Sequence, residues 1–184
     1  LKTKEMVYAA LFAALIAVLG MIPPIPLGFI PVPITAQTLG VMLAGGFLGK
    51  KTGAISLILF IVLVALGLPV LAGGNGGLAP LIGPTAGYIW SWPIAAFLIG
   101  WAAEKGWLSL KVWKLFLINI VFGVLLVSLI GAPVMALITQ TPVWAGLIGS
   151  AAFLPGDVIK AIIAAVIIVQ IKAISPIEEK VHGA

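Results

Sequence analysis

Cysteine and arginine are both absent from this 184-residue chain, and histidine occurs once, as His182. Without thiols there are no disulfides, thiolate metal sites, thiol nucleophiles or cysteine lipidation, and a lone histidine leaves zinc chemistry without ligands. Charge is equally scarce: 8% of the residues are Asp, Glu, Lys or Arg, against about a quarter in ordinary soluble domains. With 62% hydrophobic residues and a mean hydropathy of +1.30, the chain belongs in lipid. Its formal charge of +5 comes from lysines set between long apolar runs. That is a pattern of membrane topology, so no nucleic-acid partner is expected.

What is present is three long uncharged stretches, 6–49, 52–103 and 115–156. A helix needs about 20 apolar residues to cross the bilayer core, so each stretch has room for two crossings. Breakers mark the turns: the prolines from Pro23 to Pro33, the Gly-rich run from Gly73 to Pro84, and Pro133 with Pro142. The expectation is an all-α integral membrane protein forming one transmembrane domain, with six helices at 6–22, 34–49, 52–71, 85–103, 112–131 and 155–174. The connection 131–154 is expected to hold a short interfacial helix over 143–152. Nine of the ten lysines fall on one side of this arrangement. By the positive-inside rule that side is cytoplasmic, with both termini on it.

The opposite side then carries only Asp157 and Lys160 as charges. Pro155 suits the first position of a helix, which puts Asp157 in the first turn at the positive end of the helix dipole, with Lys160 on nearly the same face. A local ion pair is one reading. Ionisable groups at membrane depth otherwise mark a functional site. Asn75, the one polar side chain in a Gly-rich loop, is either a turn residue or a hydrogen-bonding ligand group. Thr35, Gln37 and Thr38 make a polar start to the second span, which points to a cavity or to protein contact there. Tyr88, Trp90 and Trp92 either wall a pocket or anchor at the interface. Together these features suggest a small, mostly apolar ligand cavity with a few convergent polar groups.

Energy coupling is not encoded here. The run G-G-F-L-G-K-K-T at 45–52 has the wrong glycine spacing for a P-loop and a lysine where Ser or Thr must hold magnesium. The glycines at 74–77 are followed by Pro80 and Pro84 where a dinucleotide fold opens a helix. Uphill movement of a ligand would need a partner ATPase. Ala9, Ala13 and Ala17, with Ala10 and Ala14, give the first helix a stripe of small residues, open to close packing by another protein or within the bundle itself.

Three ordered segments, P-V-P-I-T-A-Q-T-L-G at 31–40, G-G-N-G-G-L-A-P-L-I-G-P-T-A-G-Y at 73–88 and P-G-D-V-I-K at 155–160, resemble the BioY family, the biotin-specific S components of energy-coupling factor (ECF) transporters. The resemblance covers most of the chain. It implies biotin as the captured ligand, a multi-pass position in a prokaryotic plasma membrane, and no cofactor. It also implies assembly with an EcfT-type coupling protein and a pair of ABC-type ATPases. Asn75, Asp157 and Lys160 match the family's biotin-contacting polar residues, and Thr35, Gln37, Tyr88 and Trp90 complete the candidate ligand set. The stripe Ala9, Ala10, Ala13 and Ala14 matches the family's docking helix. Biotin's ureido group would lie deep against Asp157, Lys160 and Asn75, with its carboxylate toward the outer opening; a competing pose places the carboxylate on Lys160. An S component for another vitamin would share the architecture without the Asn75 loop and the P-G-D-x-x-K segment. A membrane enzyme would need a nucleophile and base that the spans lack.

Overall fold

In lipid every backbone polar group must be met internally, and long apolar stretches achieve this by coiling into helices. The computed structural model describes residues 2–182. Its helices are α1 (Thr3–Gly20), α2 (Gln37–Leu48), α3 (Lys50–Ala65), the single turn α4 (Ala79–Ile82), α5 (Ala86–Lys105), α6 (Val112–Ile118), α7 (Leu126–Thr139), α8 (Val143–Ser150), α9 (Leu154–Gln170) and α10 (Pro176–His182). A π-helical segment, Asn119–Leu125, joins α6 to α7 without a break. Among the described residues β-structure is limited to isolated bridges, Ile25 with Ile34 and Leu71 with Asn75.

Among the described residues, four helical stretches are long and apolar enough to cross a membrane: Thr3–Gly20, Ala86–Lys105, Val112–Thr139 and Val143–Gln170. Helices α2 and α3 are shorter, 12 and 16 residues. At 1.5 Å per residue α2 reaches only about 18 Å. It does not need to reach further, because protein surrounds it. Val41, Met42, Ala44 and Leu48 are fully buried, and α1, α3, α5 and α9 pack around it.

Several expected boundaries move, each for a local reason. The second helix starts at Gln37 and not at residue 34, because Ile34 pairs with Ile25 in a bridge that closes the proline-rich loop. The third ends at Ala65, short of residue 71: Gly67 takes the left-handed conformation (φ 92°), its N–H bonds to the Val64 carbonyl at 2.9 Å, and Pro69 follows. The fifth does not stop at residue 131. The helix runs through Pro133 to Thr139 and turns at left-handed Gln140 (φ 55°), where the Thr139 hydroxyl donates to the Met135 carbonyl at 2.9 Å. Proline costs one backbone bond, which an apolar helix buttressed by neighbours survives. The helix ends where Gln140 turns left-handed and the Thr141 N–H bonds back to the Ala136 carbonyl at 2.9 Å, with Pro142 following. The expected interfacial helix is α8, and one turn of 3-10 helix, Ala151–Phe153, leads from it into α9.

Charges gather at one end of the bundle. Lys4 pairs with Glu179 at 2.7 Å and Lys180 with Glu5 at 2.9 Å, crossing α1 with α10. Glu104 at the end of α5 accepts from both the backbone and the ammonium of Lys50, each at 2.9 Å. Lys172 caps the turn after α5 through the Trp107 carbonyl at 3.0 Å. Trp107 is buried, while Trp101 and Trp113 face outward. Helices α2, α5 and α9 all begin at the other end, and their first turns meet there around a cavity.

Candidate functional site

The first turn of α9 sets the polar pole of this cavity. With Leu154 and Pro155 opening the helix, Asp157 falls where the free N–H groups and the dipole stabilise a carboxylate, and it is buried. Lys160 sits one turn on, its ammonium 2.6 Å from Asp157 Oδ1. The same ammonium donates to the Thr38 hydroxyl at 2.6 Å and to the Thr35 carbonyl at 2.9 Å. Thr38 in turn donates to Asp157 Oδ1 at 3.4 Å. An ammonium has three hydrogens, so Lys160 is fully committed to the protein. Asp157 Oδ2 has no protein partner among the described residues, and is the open acceptor of the cluster.

Asn75 enters from the Gly-rich loop between α3 and α4. Gly73, Gly74 and Gly77 all adopt positive φ (77°, 73° and 81°), which lets the loop coil tightly. Gly76 lies against the Leu68 carbonyl with no space for a side chain. The Leu71 N–H bonds the Asn75 carbonyl at 3.0 Å, and the Asn75 side-chain amide donates to the Ala72 carbonyl at 2.9 Å. Its side-chain oxygen carries no protein bond among the described residues.

Between these poles lies a cavity of about 400 Å³, within the range of small-molecule sites. Its walls are the loop residues Pro31 to Thr35, Leu71 and Ala72, the aromatic face of α5, Phe153, and a strip of the α6–α7 helix at Gly123, Val127 and Ser128. Tyr88 is held edge-on to Phe153 with ring centroids 5.9 Å apart, and its hydroxyl shares a 2.7 Å hydrogen bond with Ser150. Gly131 has no side chain because the Tyr88 ring occupies that space.

The structure brings Asn75, Asp157, Lys160, Thr35, Gln37 and Tyr88 to one cavity. Trp90 stands apart: it is 53% exposed, is not part of the lining, and donates its indole N–H to the Leu81 carbonyl at 3.0 Å. Trp92, four residues after Tyr88 and so on the same helix face, lines the cavity instead, and its buried indole N–H has no hydrogen-bond partner among the described residues. Helical spacing was the signal for choosing Trp92 over Trp90. Gln37 lines the cavity, but its amide is engaged by backbone groups of α1 and the Asn75 loop. Thr38 and Ser128 join the lining, and nothing local in the sequence marked Ser128. The alanine stripe divides: Ala9 and Ala13 are packed in the core, while Ala10 and Ala14 face outward. No group of three His, Cys, Asp or Glu side chains able to hold a metal ion occurs among the described residues.

A profile described as the BioY family matches residues 1–176. A protein named biotin transporter BioY from Rhizobium etli is 45% identical over 172 residues, covering 91% of this chain and 92% of the relative. A probable biotin transporter BioY from Bacillus subtilis is 44% identical over 171 residues, 93% of this chain and 91% of the relative. Among solved structures, the S-component for biotin from an ECF-type ABC transporter superposes with a TM-score of 0.88 at 42% identity, covering 93% of this chain and 92% of the other.

Proposed function

The chain belongs to the BioY family, and from that premise we propose that it is the biotin-binding subunit of an energy-coupling factor transporter. It is a binding and delivery subunit and not an enzyme. Biotin enters at the end of the bundle away from the lysines and is released with the help of an ATP-driven partner. Six crossings, α1, α2, α3, α5, the α6–α7 helix and α9, put both chain ends on the cytoplasmic side of a prokaryotic plasma membrane, in line with the lysine distribution. The partners are an EcfT-type coupling protein, met through the outward alanines Ala10 and Ala14, and a pair of ABC-type ATPases.

The observation that carries the site assignment is the state of the polar pole. Asp157 offers one unengaged carboxylate oxygen beside a lysine that neutralises it, in a cavity walled mainly by apolar and aromatic groups. A ureido ring presents N–H donors and one carbonyl acceptor. Its N–H fits Asp157 Oδ2, and its carbonyl would take a hydrogen from Asn75 or share one from Lys160. The thioether ring and aliphatic chain fit the walls made by Tyr88, Trp92 and Phe153, while the carboxylate lies toward the opening.

Calorimetric titration of biotin into detergent-purified protein, with thiamine and riboflavin as controls, tests the proposal. Biotin alone should bind. Asp157→Asn should weaken it roughly 10- to 100-fold, the worth of a hydrogen bond to a charged group. A folded protein that ignores biotin would overturn the assignment.

A further inference from the structure

Gln37 is the most buried polar side chain in the cavity wall, 1% exposed. An amide so placed is tolerated only where its hydrogen bonds are met. Its Nε2 donates to the Ile16 carbonyl of α1 at 3.1 Å and to the Val70 carbonyl at 3.0 Å, and its Oε1 accepts from the Ala72 N–H at 3.0 Å. Both amide hydrogens are used. A ligand could take one only by breaking a bond to the backbone.

The partners are what matter. Ala72 is gripped on both sides, its N–H by Gln37 and its carbonyl by the Asn75 side chain at 2.9 Å. Beyond it the loop runs through Gly73, Gly74, Gly76 and Gly77, which hold no conformation by side-chain packing. The next tie to a helix is the Gly77 N–H on the Val64 carbonyl at 2.8 Å. Gln37 therefore suspends one side of the loop, and Asn75 hangs from the residue that Gln37 holds. The remaining bond reaches α1. At its last residue, Gly20, a Cβ would collide with the Val70 carbonyl and lie 2.8 Å from Gln37 Nε2, so the contact requires glycine there.

We infer that Gln37 is a positioning residue and not a ligand contact: it latches the Asn75 loop to the end of α1, so that the loop loosens when α1 and the loop part. The affinity arm of the test rests on the biotin reading above; the exchange arm does not.

Amide hydrogen exchange is measured on the full chain in detergent without ligand, for wild type, Gln37→Met and Gly20→Ala. Met keeps the volume and removes the bonds, while Gly20→Ala wedges the latch without touching Gln37. Both variants should speed exchange over 70–77 roughly 10-fold or more while the centres of α5 and α9 keep their protection. Unchanged exchange in the loop overturns the inference, as does uniform acceleration throughout the bundle, which would make Gln37 general core support. In calorimetry Gln37→Met should weaken biotin roughly 10-fold in the wild-type background and less than about 2-fold when Asn75 is already Ala, because its effect passes through Asn75. Full additivity would instead make Gln37 a direct contact. If wild type does not bind biotin, the functional reading fails and the exchange arm alone decides the latch.

Discussion

Lys160 and Asp157 meet at 2.6 Å across one turn of α9, and the remaining hydrogens of the ammonium go to Thr38 and to the Thr35 carbonyl. The lysine thus neutralises and orients the carboxylate while holding the start of α2 against α9. Breaking such a pair where both side chains are largely buried leaves an uncompensated charge, which costs far more than the pair itself contributes.

This arrangement bears on the pose. Because Lys160 is committed to protein groups, the proposed pose puts the biotin carboxylate away from it, and biotin amide should then bind less than about 10-fold more weakly than biotin. A carboxylate seated on Lys160 would make the loss roughly 100-fold or more, the worth of a buried charge-assisted bond. Competition calorimetry with the two ligands separates these outcomes.

Thr38 bridges the pair, accepting from Lys160 and donating to Asp157. Thr38→Val keeps the shape and removes both bonds, so biotin affinity should fall on the order of 10-fold. Thr38→Ser should restore most of it. Equal affinities for the three proteins would show that the hydroxyl only fills space.

The aromatic wall depends more on Gly131 than on the Tyr88 hydroxyl. Gly131→Ala pushes the ring toward the cavity, and should cost more biotin affinity than Tyr88→Phe. The latter removes the bond to Ser150 and should lower stability by about 1 kcal/mol with little change in binding. Titration and thermal melting of both variants check the order.

Docking on the coupling protein should separate from folding along α1. Ala10→Trp, on the outward face, is expected to leave biotin binding intact and to abolish co-purification with the coupling protein. Ala13 is 1% exposed, so Ala13→Trp overpacks the core and should lower the melting temperature, whatever its effect on assembly. Matching behaviour of the two variants would remove the distinction between faces.

Much of this was legible along the chain. Uncharged runs bounded by lysines marked the helical stretches, because moving a charge into hydrocarbon is costly wherever it occurs. Asp157, Lys160 and Asn75 stood out by isolation, as the rare polar groups at the end away from the lysines. Pro133 misled, since proline ends helices in water but is absorbed by a buttressed apolar helix. Composition alone makes Trp90 and Trp92 equal candidates for the wall, and it is the four-residue step from Tyr88 that puts Trp92 on the cavity face.

The sequence by itself determined that this chain is helical and lipid-embedded, where its charges collect, and which polar groups lie isolated at the far end. Those are consequences of solvation, which each segment meets on its own. Only the tertiary structure decided that Thr38 completes the Asp157–Lys160 pair, that Gln37 is committed to backbone groups of α1 and the Asn75 loop, and that Ala13 is core while Ala10 is surface. Each depends on which helix faces meet, and hydrogen-bond partners 35 or 122 residues apart, as for Gln37 with Ala72 and Thr38 with Lys160, leave no local signal.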